Sequence, residues 1–153
     1  MTRYRERLIP GAGAGVALLL LLPAVYLVLL PLGLPGVVPL LGAAAATLAA
    51  EAVLFGTAPV VEVAGGELRA GPARIPVSLT GETEPFHGSE ATAARGTGLD
   101  ARAFTLMRGW IDPVLRVRLT DPDDPAPYWV VSTRRPERLA AALAEERAAA
   151  TAA

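Results

Sequence analysis

The sequence predicts a membrane-embedded α-helical hairpin of two transmembrane helices, followed by a small α+β domain. Three observations carry that reading. From Leu8 to Ala50 the chain has no charged side chain. Pro31, Gly33, Pro35 and Gly36 break this run near its middle, leaving two stretches that each match the roughly 30 Å hydrocarbon core of a bilayer. Beyond Thr57 the pattern changes to short alternating segments bounded by Gly and Pro, the pattern of antiparallel strands. After the hairpin, the 153 residues leave room for one domain, of about 90 residues, near the size at which a single core becomes self-supporting.

Residues 1–57 form the first expected domain, an Arg-rich head and the hairpin. The first span, residues 9–30, would be about 33 Å long as a helix. Pro23 lies inside it and should bend it, because its ring crowds the carbonyl of Leu19 and it has no N–H to offer there. The second span, residues 37–56, carries Pro39 in its first turn, where the missing N–H has no helical partner to lose. Arg3, Arg5 and Arg7 flank the first span while the inter-helix turn has no positive charge, so the positive-inside bias places both termini in the cytoplasm. A cleaved signal peptide has an apolar core of only about 7–15 residues. This run is longer, and a second span follows it.

Residues 58–148 form the second expected domain. Strands are predicted at Val60 to Val63, Glu67 to Ala70, Ala73 to Leu79, Phe104 to Met107, Val114 to Thr120 and Tyr128 to Ser132. The glycines of Ala64-Gly65-Gly66 suit a hairpin turn. Thr80 to Asp100 reads as a loop with one helical turn at Ser89 to Arg95. Leu115, Val117 and Leu119 should face the core, with Arg116, Arg118 and Thr120 outward. A helix at residues 136–147 closes the domain, with Pro136 and Glu137 in its first turn, Leu139 and Leu143 as its buried stripe, and Arg147 at a frayed end. Residues 149–153 read as a disordered tail. Short antiparallel strands closed by a C-terminal helix suggest a pleckstrin-homology-like sheet.

The segments Leu68 to Pro76, Arg102-Ala103-Phe104, Arg108-Gly109-Trp110-Ile111 and above all Asp121 to Pro136 resemble an actinobacterial membrane-protein family catalogued as domain of unknown function 3093. The resemblance covers essentially the whole chain. The family usually has Pro where this chain has Gly109 and Thr where it has Ala126. It implies a location and a layout, and carries no activity, substrate or catalytic residue.

Glu51 is the one charge within the second span, and an acid at membrane depth is a functional candidate. An antiparallel partner would set it level with Gly13 to Ala17, where small residues permit close helix approach. The competing reading ends the span one turn sooner and lets Glu51 snorkel to the headgroups. Gly11-Ala12-Gly13-Ala14-Gly15 lacks the preceding strand and following acid of a nucleotide loop. His87 has no catalytic partner marked around it, and Asp121, Asp123 and Asp124 lack the Gly and late Glu of a calcium loop. With no cysteine there is neither disulfide nor thiolate metal site.

Trp110, Tyr128 and Trp129, with Arg108, Arg134 and Arg135, make a candidate interaction surface. Tyr128 and Trp129 are adjacent in a strand, so one faces the core and the other does not. Residues 58–153 hold 11 Arg against 13 acids, which gives nucleic-acid binding no support. The expected protein is a non-enzymatic, multi-pass protein of the cell inner (cytoplasmic) membrane with no cofactor, whose tethered domain binds lipid headgroups, a membrane-protein partner or a second copy. The alternative is an oligomer handling a small solute or ion through Glu51.

Overall fold

The computed structural model describes residues 2–151. They fall into two compact units, one spanning Ile9–Ala58 and the other joining the segment that ends at Leu8 to the segment that begins at Pro59.

The first unit is the helical hairpin. It comprises α1 (Ala12–Leu19), α2 (Leu21–Leu29), a 3₁₀ turn (Leu30–Leu32) and α3 (Val37–Gly56). Ala12–Leu32 and Val37–Gly56 are each long and apolar enough to cross a membrane. Pro23 is expected to bend the first span; the helix is interrupted at Leu20, three residues earlier, where the Leu20 N–H bonds Ala17 O at 3.2 Å in a tighter turn. Pro23 cannot donate to the Leu19 carbonyl, so the ladder is interrupted there. Gly33, at φ 67°, ends the 3₁₀ turn in the left-handed region that favours glycine. Within α3 the Thr47 hydroxyl donates to Ala43 O at 2.9 Å, which satisfies it inside an apolar helix.

The second unit has two four-stranded sheets. The first is antiparallel in chain order: β1 (Thr2–Arg7), β2 (Val60–Ala64), β3 (Glu67–Ala70) and β4 (Ala73–Pro76). The second contains β5 (Thr80–Phe86), β6 (Phe104–Leu106), β7 (Val114–Leu119) and β8 (Tyr128–Ser132), ordered β5-β7-β8-β6. Helices α4 (Gly88–Arg95) and α5 (Pro136–Thr151) complete it. Both sheets feed one core: Val61, Val63, Leu68 and Ile75 from the first, Leu115, Val117, Trp129 and Val131 from the second, and Leu139 and Leu143 from α5. The opposite face of the second sheet buries Val114 and Val130 under Ala91 and Ala94 of α4.

Several expectations are corrected. The Arg-rich head does not group with the hairpin. It is β1, paired with β2 from Arg7↔Val60 to Thr2↔Ala64, because Tyr4 and Leu8 have a core to enter. The third strand stops at Pro76, and residues 77–79 form a 3₁₀ turn that keeps Val77 buried. The stretch read as a loop opens with β5, whose apolar content is too low to signal a strand and whose pairing to β7 supplies the ladder. β6 runs parallel to β8, so the second sheet is not purely antiparallel. Arg147 is not frayed: it donates to the carbonyls of Thr80 and Gly81. The expected tail is helical as far as Thr151, and residues 152 and 153 lie outside the described residues.

Candidate functional site

The hairpin leaves and re-enters the domain through neighbouring strands. Beyond the Arg7↔Val60 pair, the Leu8 N–H donates to Pro59 O at 2.8 Å. The 50 residues of the hairpin unit therefore occupy the position of a β-hairpin turn between β1 and β2. Trp110 marks this root. Its indole Nε1 donates to Leu8 O at 3.2 Å while the side chain stays 40% exposed, with its polar edge satisfied and part of its ring left open. The loop holding it closes with the Ile111 N–H on Arg108 O at 2.9 Å and is pinned by Ile111, which is buried.

Two residues before Leu8, Glu6 ties β1 to the start of α5. Its carboxylate accepts from the Tyr4 hydroxyl and the Thr133 hydroxyl, both at 2.6 Å, and from the Arg134 backbone N–H at 3.2 Å. Arg134 also pairs with it through the guanidinium at 3.3 Å. Burial alone would raise the Glu6 pKa, but the donors from Thr133, Tyr4 and Arg134 outweigh it and hold the group below its ordinary value. The Tyr4 hydroxyl is pushed up, first by burial and then by its bond to Glu6. Arg134 is thus a structural partner of β1 rather than a free surface cation.

The remaining predicted surface residues separate. Trp129 is 5% exposed and packs in the core with its ring centroid 4.5 Å from that of Phe104, so it leaves the candidate surface. Tyr128 takes the other face, where its hydroxyl accepts from the Asp100 N–H at 2.6 Å and meets Gly98 O at 3.3 Å. There the Arg116 guanidinium lies between the rings of Phe86 and Tyr128, 4.8 and 4.9 Å from their centroids, and pairs with Glu84 at 3.1 Å. Glu82, Glu84, Arg116, Arg118 and Tyr128 line a shallow recess of about 410 Å³. Arg108 turns its guanidinium onto Met107 O at 2.8 Å, and Arg135 is exposed. Trp110 and Arg134 bond through their side chains to Leu8 O and to Glu6, at the end of β1 and in it.

The family model described as "Protein of unknown function (DUF3093)" matches residues 3–143. The chain belongs to this family. No curated protein and no solved structure matches it. In this family member the match opens within β1 and ends within α5, so it takes in the hairpin and both sheets.

Sequence reasoning missed an array on the outer face of the first sheet. Arg5, Glu62, Arg69 and Arg74 stand side by side across β1, β2, β3 and β4. Elsewhere, Phe55 packs on Gly15 and Leu29 on Gly42, a register that sets Glu51 opposite Leu19 and Leu20 rather than Gly13 to Ala17. Glu51 is half-exposed and makes no hydrogen bond or ion pair among the described residues. His87 Nε2 lies 2.6 Å from Glu137, whose carboxyl that contact holds below its ordinary pKa. Asp121 and Asp124 accept the N–H groups of Asp123 and Ala126 at 3.0 and 2.8 Å, which makes their loop a pair of local turns. No group of three potential metal ligands occurs among the described residues.

Proposed function

We propose that this is a two-span protein of the cytoplasmic membrane, without enzymatic activity, whose hairpin tethers a pleckstrin-homology-like domain at the cytoplasmic face to bind lipid headgroups or a membrane-protein partner. One observation carries the reading: the strands on either side of the apolar hairpin are paired with each other. Both flanks therefore lie on one side of any bilayer the hairpin enters, as an even number of crossings requires. The arginines of β1 support the cytoplasmic side. Two four-stranded sheets that share a core closed by α5 support the pleckstrin-homology-like layout. Tethering raises the local concentration of the domain, so weak contacts suffice.

The test is photocrosslinking in native membranes from a reactive group at position 110. Recurrent adducts to one protein assign the root to a partner, and adducts to lipid alone assign it to headgroups. Their absence removes the binding reading. A second reading, an oligomer that handles a small solute or ion, rests on Glu51 being half-exposed opposite the helix break at Leu20. Unchanged flux in vesicles carrying Glu51→Gln would remove it.

A further inference from the structure

The outer face of the first sheet carries four arginines that the fold leaves exposed. Arg5 and Arg7 stand two apart on β1, Arg69 on β3 and Arg74 on β4, against Glu62 and Glu67. Alternation along each strand sends the neighbours of these residues, Tyr4, Val61, Val63, Leu68 and Ile75, into the core. All four arginines therefore share the solvent side. Arg5 and Arg74 make no hydrogen bond or ion pair among the described residues, and Arg69 spends only its Nε, on Gly71 O at 3.2 Å. A recess of about 410 Å³ lies among Glu62, Ala64, Glu67, Arg69 and Arg74. Three strand spacings separate β1 from β4, so the row is about 14 Å wide.

We infer that this face binds the phosphates of anionic lipid headgroups in the bilayer that holds the hairpin. The inference rests on the tether reading above and assigns it a ligand and a site. Its grounds are charge and connectivity. Guanidinium forks match phosphate oxygens bidentately, which favours arginine for this contact. The strand that carries Arg5 and Arg7 runs straight into the apolar segment at Ile9, so Arg5 is within about 14 Å of it even with the chain fully extended. The charge is also local, since the unit that bears this face balances 14 Arg against 14 acids as a whole.

The test uses the full chain reconstituted in bilayers of equal phosphatidylglycerol and phosphatidylcholine, released with its bound lipids into native mass spectrometry. The protein should retain phosphatidylglycerol preferentially. Arg5→Gln with Arg74→Gln should lower that preference about twenty-fivefold, since each basic residue near an anionic leaflet shifts partitioning roughly fivefold. Arg118→Gln with Arg138→Gln, an equal charge change at other exposed positions, should leave it within twofold. Equal loss in both pairs, or no loss in the first, overturns the site. If the parent chain is stripped from the membrane by alkaline carbonate, the tether reading itself fails and takes this inference with it.

Discussion

Removing residues 1–57 should not release a soluble domain; it should destroy one. That cut takes β1 with the hairpin. The domain would lose Leu8, fully buried, and Tyr4, 9% exposed, each side chain contributing about 1.5–3 kcal/mol through burial. Thr133, fully buried, would lose its bonds to Glu6 and Tyr4, leaving its O–H without an acceptor at a cost of about 1–3 kcal/mol. The total of about 4–9 kcal/mol approaches or exceeds the stability of a domain this size, about 5–10 kcal/mol. A variant that instead joins Leu8 to Pro59 through Asn-Gly keeps β1, and the 2.8 Å Leu8–Pro59 bond holds the two ends within one hydrogen bond of each other. Thermal unfolding by circular dichroism compares the two. The joined variant should melt cooperatively, and fragment 58–153 should melt at least about 16 °C lower or show no transition, at about 4–8 °C per kcal/mol. Equal transitions would refute the assignment of β1 to the core.

Other predictions concern the same domain. In the joined variant, Leu139→Asp with Leu143→Asp places two charges in the shared core and should abolish the transition; an unchanged transition would detach α5 from the core. Glu6 has a folded pKa below its unfolded one, so its contribution is present above the unfolded value of about 4.3 and is lost as pH falls through the lowered folded value. Glu6→Gln should therefore lower stability at pH 7 and flatten its fall between about pH 5 and pH 3, read from denaturant midpoints; a parallel fall in both proteins would show that Glu6 is not the group responsible. Arg147→Ala should cost about 1 kcal/mol or more by freeing the carbonyls of Thr80 and Gly81, where a frayed residue would cost less than about 0.5 kcal/mol.

Much of the fold was legible where burial is one-sided or complete. Val37–Gly56 and Tyr128–Ser132 match their expected bounds because a long apolar run with a single charge and an apolar strand leave little choice of partner. β1 escaped notice although Arg3, Arg5 and Arg7 alternate with Thr2, Tyr4 and Glu6, a period of two. Its arginines had an adequate account as the flank of a membrane span, and its partner lies more than 50 residues away in the chain. β5 was hidden by Gly81, Pro85 and two glutamates, since its pairing with β7 depends on backbone bonds and the Arg116–Glu84 contact. The candidate surface dispersed for the same reason. Alternation predicts that Tyr128 and Trp129 part, but only the finished sheets decide which turns inward. The arginine row became visible only once four strands were in register.

The central claim, a hairpin that crosses twice and holds the domain inside, is tested most directly by labelling single cysteines with a membrane-impermeant maleimide in sealed spheroplasts. The chain has no cysteine of its own, so the signal is unambiguous. Leu34→Cys, in the turn between the spans, should be labelled from outside, and Ser78→Cys, exposed in the domain, only after lysis. Labelling of Ser78→Cys in intact spheroplasts, or of Leu34→Cys only after lysis, would contradict the account.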